Sequence, residues 1–231
     1  MQIKEAIVLA GGLGTRLRDA VPDLPKCMAP VNGIPFIAYV IKYLSDQGIE
    51  RFIFSLGYRS EAFTQFLTEA LPQNNYTVII EEEPLGTGGA IRLACNAAND
   101  LNVLVVNGDS IFKNDLSAQA NLHFSKKADC TLALKPMEHF DRYGAVELNT
   151  DQRIALFKEK QLVEKGLING GVYMINVASF LQEQLPEKFS FETGYLQQFF
   201  TTRNIVGISQ EGYFIDIGIP EDYLRAQTEL K

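Results

Sequence analysis

The feature that most restricts what this chain can become is a continuous apolar run, residues 6–10, that breaks at once into Gly11-Gly12-Leu13-Gly14. Such a run, with no polar residue at alternate positions, is the pattern of a strand buried on both faces, as parallel sheets require. The glycines after it let the chain leave the sheet through a loop whose backbone N–H groups stand clear of side chains. The pattern recurs: Phe52-Ile53-Phe54, Val78-Ile79-Ile80 and Val103-Leu104-Val105-Val106 are further apolar strands. Helical stretches separate them. One has Phe36, Ile37, Val40, Ile41 and Leu44 at helical spacing and is closed by Gly48; a second carries Phe63, Phe66, Leu67, Ala70 and Leu71 on one face; a third is alanine-rich over residues 89–98. This alternation predicts an α/β fold, a doubly wound, mostly parallel, Rossmann-like sheet. Past about residue 130, short β-like pieces at residues 131–134, 145–148, 154–157 and 171–175 predict an extension of the sheet with a small antiparallel flap. Pro220-Glu221-Asp222 opens a last helix, with proline at its first position and acids at its positive end. With no linker, repeat or low-complexity segment, residues 1–231 are expected to form a single domain of two lobes, about 1–130 and about 131–231.

The chemistry such a fold carries is narrowed by what is scarce. Cys27, Cys95 and Cys130 are far apart and odd in number, so they support neither a zinc knuckle nor a disulfide framework, and buried thiols are expected. Two histidines, His123 and His139, leave little room for a His-based triad or a zinc hydrolase. Residues 6–10 are too short for a signal peptide or a membrane helix, so a soluble, cytoplasmic protein with no membrane partner is expected. A net charge of −7 disfavours nucleic acid as a partner, because that needs a broad basic face. It leaves open one small cationic pocket.

The glycine loop is where such a pocket would lie. The dinucleotide fingerprint fails because Leu17 stands where a glycine is required, and no Gly-Lys-Ser/Thr follows to make a P-loop. A purely structural turn remains open, but Arg16 in the loop and Lys26 in Pro25-Lys26 add two cations suited to a triphosphate. Together these residues, Ala10-Gly11-Gly12-Leu13-Gly14-Thr15-Arg16-Leu17 followed by Pro25-Lys26, resemble the signature of the sugar-1-phosphate nucleotidyltransferases. The resemblance implies that Leu9, Ala10, Gly11, Gly12, Gly14 and Thr15 wrap a nucleoside triphosphate. It also implies that Arg16 contacts the phosphates and that Lys26 neutralises charge at the reacting phosphorus.

A second cluster, Glu81-Glu82-Glu83-Pro84-Leu85-Gly86-Thr87-Gly88-Gly89-Ala90, resembles the family's Leu-Gly-Thr stretch, with Gly86, Thr87 and Gly88 holding the nucleobase. A carboxylate accepts two hydrogen bonds from the N1–H and N2–H2 edge of guanine, whereas uracil and thymine present one donor between two acceptors. Glu81 is therefore expected to select guanine, with Glu83 on the same strand face in reserve; three solvated surface acids are the alternative. Asp109, in Asn107-Gly108-Asp109, falls where ligands bind in open α/β sheets, although a lone acid there also suits a turn cap. The resemblance pairs it with Asp216, in Tyr213-Phe214-Ile215-Asp216-Ile217-Gly218, as ligands of Mg²⁺. In the second lobe it implies a sugar-phosphate site. Gly144 would offer an N–H, Glu159 would accept from hydroxyls, Lys160 would touch the phosphate, and Asn169, Gly170 and Gly171 would line the pocket. A plain surface ion pair stays open for Glu159 and Lys160.

The resemblance covers nearly the whole chain and implies nucleotidyl transfer from GTP to a sugar 1-phosphate for surface glycan synthesis, with Arg16, Lys26, Asp109 and Asp216 as the catalytic set. Among sugars, the resemblance favours D-glycero-α-D-manno-heptose 1-phosphate. Mannose 1-phosphate, a UTP-, dTTP- or CTP-using enzyme, and a catalytically silent nucleotide-sugar sensor are the alternatives. A homo-oligomer is compatible with the phenylalanines at 180, 189, 191, 199 and 200, which otherwise read as core.

Overall fold

The computed structural model describes residues 2–12, 17, 21, 24–57, 60–158 and 161–231. The chain begins with β1 (Glu5–Leu9), a small hairpin of β2 (Pro30–Val31) and β3 (Ile34–Pro35), and α1 (Phe36–Asp46). It continues through β4 (Arg51–Leu56), α2 (Glu61–Ala70), β5 (Tyr76–Ile80), α3 (Gly86–Cys95) and β6 (Asn102–Asn107). These four apolar strands lie in the order β5-β4-β1-β6 and are parallel throughout. The chain has therefore built outward on one side of β1 and then crossed to the other. That reversal leaves a crevice at the carboxyl ends of β1 and β6.

Alternation along the strands sends side chains to two cores. Ala6, Val8, Phe52, Phe54, Leu104 and Val106 pack on one face, under Phe36, Ile37, Val40 and Leu44 of α1 and Phe63 and Leu67 of α2. Ile7, Ile53, Val103 and Val105 pack on the other, under Ile91, Ala94 and Cys95 of α3. Both faces being buried is why these strands carry unbroken apolar runs. Gly48, at φ +92°, ends α1 in a left-handed conformation, as its position after the helical pattern predicts.

The second half comprises β7 (Ser110–Phe112), α4 (Leu116–Lys126), β8 (Cys130–Phe140), β9 (Ala145–Leu148), β10 (Ile154–Phe157) and β11 (Val163–Asn176). Then follow α5 (Val177–Leu181), a π-helical turn (Phe191–Leu196), α6 (Gln197–Phe199), β12 (Ile205–Ser209), β13 (Phe214–Asp216) and α7 (Pro220–Glu229). β11 is antiparallel to β6, β8 and β9, and β12 adds in parallel to β8, giving the sheet extension and antiparallel flap anticipated from the sequence. Two of the expected pieces are much longer: 131–134 is part of an 11-residue strand and 171–175 part of a 14-residue strand. Their outer ends carry exposed residues such as Glu138 and Lys165, which pair with each other beside the small apolar cluster of Phe140, Ala145 and Ile168. The helix expected over 89–98 instead begins at Gly86 and ends at Cys95. All three cysteines are buried and free, and burial pushes the Cys27 and Cys95 thiols up to about 12. No helix of the described residues is long and apolar enough to cross a membrane.

Candidate active site

Two cavities open side by side at the crevice. The first, about 320 Å³, is lined by Leu9, Gly11 and Gly12 after β1, by Glu81, Pro84, Gly86, Thr87 and Ala90 around the start of α3, and by Asn107, Asp109 and Glu192. The second, about 700 Å³, lies toward the antiparallel flap between Arg142, Tyr143 and Gly144, the strand segment Asn169, Gly170 and Gly171, and Ser110, Tyr173, Phe214 and Asp216. Asn107 and Glu192 belong to both walls.

A cationic centre sits at the junction. Lys26 stands on a single 3₁₀ turn anchored by the buried Cys27 and Met28, and its side chain is 13% exposed. Lys26 Nζ donates to Asp109 Oδ2 at 2.6 Å and to Asp216 Oδ1 at 3.2 Å. The aspartates are far apart in sequence, and a two-stranded ladder joins them: β13 pairs antiparallel with β7, setting Asp216 opposite Ser110, and Ile217 N–H donates to Asp109 O. Gly218 N–H then donates to Asp216 Oδ1 at 2.8 Å. Two carboxylates thus converge on one cation position. Among the described residues no third His, Cys, Asp or Glu joins them. That donor set fits a hard divalent cation that takes its remaining ligands from phosphate oxygens and water.

The model of the nucleotidyl transferase family matches residues 5–231. The chain belongs to the nucleotidyl transferase family. It is 48% identical over 227 residues to the D-glycero-alpha-D-manno-heptose 1-phosphate guanylyltransferase of Aneurinibacillus thermoaerophilus, covering 98% of both chains. It is 41% identical over 219 residues to the protein of the same name from Campylobacter jejuni, covering 95% of this chain and 96% of that one. Among solved structures, it is similar to HddC from Yersinia pseudotuberculosis, with TM-score 0.87 and 36% identity over 99% of this chain and 100% of that chain. A second structure of HddC, complexed with GMP-PN, matches with TM-score 0.86 and 35% identity over the same shares.

Within the first cavity, Glu81 is the residue whose placement says most. β5 ends at Ile80, so Glu81, Glu82 and Glu83 do not share a strand face. Glu82 and Glu83 turn into solvent ahead of Pro84. Glu83 therefore has no place in the cavity, and the expectation of a reserve carboxylate there is corrected. Glu81 alone points inward, accepting from Ser55 Oγ at 3.1 Å and from Leu85 N–H at 3.0 Å, which leaves each oxygen further acceptor capacity. Its Oε1 lies 2.9 Å from where a Cβ on Gly11 would stand, so the first glycine of the loop is what admits this carboxylate beside β1.

The other expected residues divide. Leu9, Gly11, Gly12, Gly86, Thr87 and Asp109 line the first cavity, and Gly144, Asn169, Gly170, Gly171 and Asp216 the second. Ala10 lies between β1 and the loop, its N–H donating to Ser55 O. Gly88 is placed differently from the expected nucleobase contact. It is buried behind the cavity wall, its N–H donates to Phe189 O, and a Cβ there would fall 2.1 Å from the Phe189 ring. Its lack of a side chain serves helix packing. Gly14, Thr15, Arg16, Glu159 and Lys160 lie outside the described residues.

Glu192 and Arg142 are among the wall residues to which the sequence assigns no role. Glu192 Oε2 accepts from Thr87 Oγ1 and Ser190 Oγ, both at 2.9 Å, and Oε1 from the Tyr173 hydroxyl, so it ties the start of α3 to the second cavity. Burial, reinforced by the Glu192 charge, holds the Tyr173 phenol well above its ordinary value. In the sequence Glu192 stands as a single acid among aromatics, Phe189-Ser190-Phe191-Glu192. Arg142, held by Asp222 at 2.6 Å, lies over the Tyr143 ring at 5.6 Å and faces the second cavity. Burial pushes the Tyr143 phenol up to about 12, the Asp216 charge adding to the effect.

Proposed function

We propose that this chain transfers a guanylyl group from GTP to a sugar 1-phosphate, releasing pyrophosphate, with D-glycero-α-D-manno-heptose 1-phosphate as the sugar substrate. The observation that carries the reading is the pair of cavities meeting at Lys26, Asp109 and Asp216. The names of the relatives that match over almost their full length support the choice of nucleotide and sugar.

In the reaction, an oxygen of the sugar phosphate forms a bond to the α-phosphorus of GTP, and the bond from that phosphorus to the β-phosphate oxygen breaks. The incoming oxygen is already anionic, so no protein base need remove a proton. That suits a chain in which one of two histidines, His123, is buried on the inner face of α4. What the residues must supply is alignment and charge compensation. Gly11 and Gly12 bring backbone against the triphosphate; Glu81 reads the base edge; Asn169, Gly144 and Glu192 orient the sugar; Arg16, Glu159 and Lys160 keep the roles the family resemblance gives them. Asp109 and Asp216 would hold Mg²⁺, which supplies charge neutralisation across the phosphates when bound. GTP supply favours the cytoplasm as the place of work.

The test is pyrophosphate release measured for GTP, UTP, dTTP and CTP, each against heptose 1-phosphate and mannose 1-phosphate. The heptose–GTP pair should give the highest kcat/KM, and no turnover with any pair would favour a silent sensor. Glu81→Gln replaces an acceptor with a donor against the guanine N–H edge, and loss of such a contact should cost about 1–3 kcal/mol of discrimination, or roughly 5–150-fold. An unchanged GTP-over-UTP ratio would remove Glu81 from base selection.

A further inference from the structure

Lys26 stands where the cation belongs. The proposed function gives Asp109 and Asp216 to a divalent metal, and the family resemblance gives Lys26 to the reacting phosphorus, yet here the Lys26 ammonium bonds both carboxylates, at 2.6 Å and 3.2 Å. Lys26 is more enclosed than either carboxylate, whose side chains are 36% and 28% exposed. Its side chain is 13% exposed, and a Cβ placed on Gly218 would come within 3.0 Å of Nζ. Two carboxylates brought this close repel unless a positive charge lies between them, and one positive charge at that position satisfies the need.

We propose that Lys26 is the resident counter-ion of the Asp109–Asp216 pair and that a divalent cation must displace it, so that cation and nucleotide enter together. The proposal rests on the metal assignment of the proposed function. The exchange is chemically balanced. The metal takes over the carboxylates, and the ammonium on its flexible four-carbon stem swings to a phosphate oxygen of the incoming nucleotide. Its backbone stays fixed in the 3₁₀ turn between Pro25 and the buried Cys27 and Met28. Without nucleotide the displaced ammonium has no new partner, so the free enzyme should bind the cation poorly. If Lys26 holds the carboxylates in roughly nine molecules of ten, the apparent affinity for the cation falls about tenfold.

The experiment uses Mn²⁺ alone as probe, with free Mn²⁺ read by electron paramagnetic resonance, on the nucleotide-free full chain. Lys26→Gln should bind Mn²⁺ about tenfold more tightly than wild type, and Lys26→Gln combined with Asp109→Asn should lose that binding. A second readout needs no variant: in wild type, saturation with Mn²⁺ should raise carbamylation of Lys26 by cyanate several-fold, mapped by peptide mass spectrometry. Equal affinity in wild type and Lys26→Gln, with binding lost in the double variant, overturns the role of Lys26 and leaves the metal assignment standing. Undiminished binding in the double variant overturns the metal assignment and the proposal with it. Cyanate reactivity that does not change on Mn²⁺ saturation also overturns the displacement.

Discussion

The absence of one methyl group at residue 218 makes room for the contact between Lys26 and Asp216. Gly218 N–H fixes Asp216 Oδ1 at 2.8 Å, and the space its missing side chain leaves is taken by that same oxygen and by Lys26 Nζ. A Cβ there would lie 2.8 Å from Asp216 Oδ1 and 3.0 Å from Lys26 Nζ, so one or both must move. Gly218→Ala is therefore expected to lower turnover by roughly 10²-fold, the scale of loss when a reacting constellation is misplaced by about 1 Å. The measurement is steady-state kcat beside a denaturant unfolding curve. A variant that folds as well as wild type and turns over at the wild-type rate would show that Gly218 does not set the site. The Asp-x-Gly spacing was visible in the sequence, but its reason was not. That reason is a contact with Lys26, 192 positions earlier, which depends on the β7–β13 ladder.

Legibility of the elements followed burial. The strands around β1 were readable because both faces are covered, so every position is apolar and no register knowledge is needed. β8 and β11 were read short because pairing continues where the pattern has turned polar, through Glu138 opposite Lys165, and because register shifts between Asn169 and Tyr173, where Gly171 has φ +71°. The start of α3 is hidden in the sequence because glycines argue against a helix, and it is the close approach of Glu187 and Phe189 to Gly86, Gly88 and Gly89 that explains them. The same dependence on distant partners governs α4. His123 is buried, its Nδ1 lies 2.8 Å from Thr131 Oγ1 on β8 and its Nε2 3.0 Å from Asn102 Oδ1 on β6. The Asn102 acceptor requires the proton on Nε2, leaving Nδ1 to accept from the Thr131 hydroxyl. Burial lowers the imidazole to about 4, against a smaller opposing pull from Asp129. Between pH about 6.5 and about 4 the unfolded chain carries this proton and the native chain does not. Stability therefore falls with falling pH across that window, by roughly 3 kcal/mol near pH 4. His123→Gln keeps a donor and an acceptor but does not titrate. The difference between wild type and variant in unfolding free energy, followed from pH 7 to pH 4.5, should shift in the variant's favour; parallel curves would disprove the assignment.

At the scale of the whole molecule, the two lobes share a strand. The carboxyl end of β11, from Val172 to Asn176, completes the ladder with β6, while its amino end from Val163 to Asn169 pairs with β8, and Leu167 and Ile168 pair with β9. The core containing Ile7 and Ile53 of the first lobe also contains Leu132, Val146, Phe180, Phe191 and Ile205 of the second. Unfolding either lobe alone would strip β6 or β11 of a neighbour and open that core, so the lobes are expected to unfold as one cooperative unit despite a length at which intermediates are common. With nine tyrosines and no tryptophan, tyrosine fluorescence samples both lobes, and its denaturant transition should coincide with that of far-UV circular dichroism. Because the first cavity is walled by both β1 and Glu192, a ligand there binds only the intact pair. GTP with a divalent cation at 100 times its Kd should therefore move both transitions together by about 2.7 kcal/mol. Two separated transitions, with the ligand shifting only the first, would mean that the lobes are independent domains and that the sugar side is added to a nucleotide-binding unit that folds by itself.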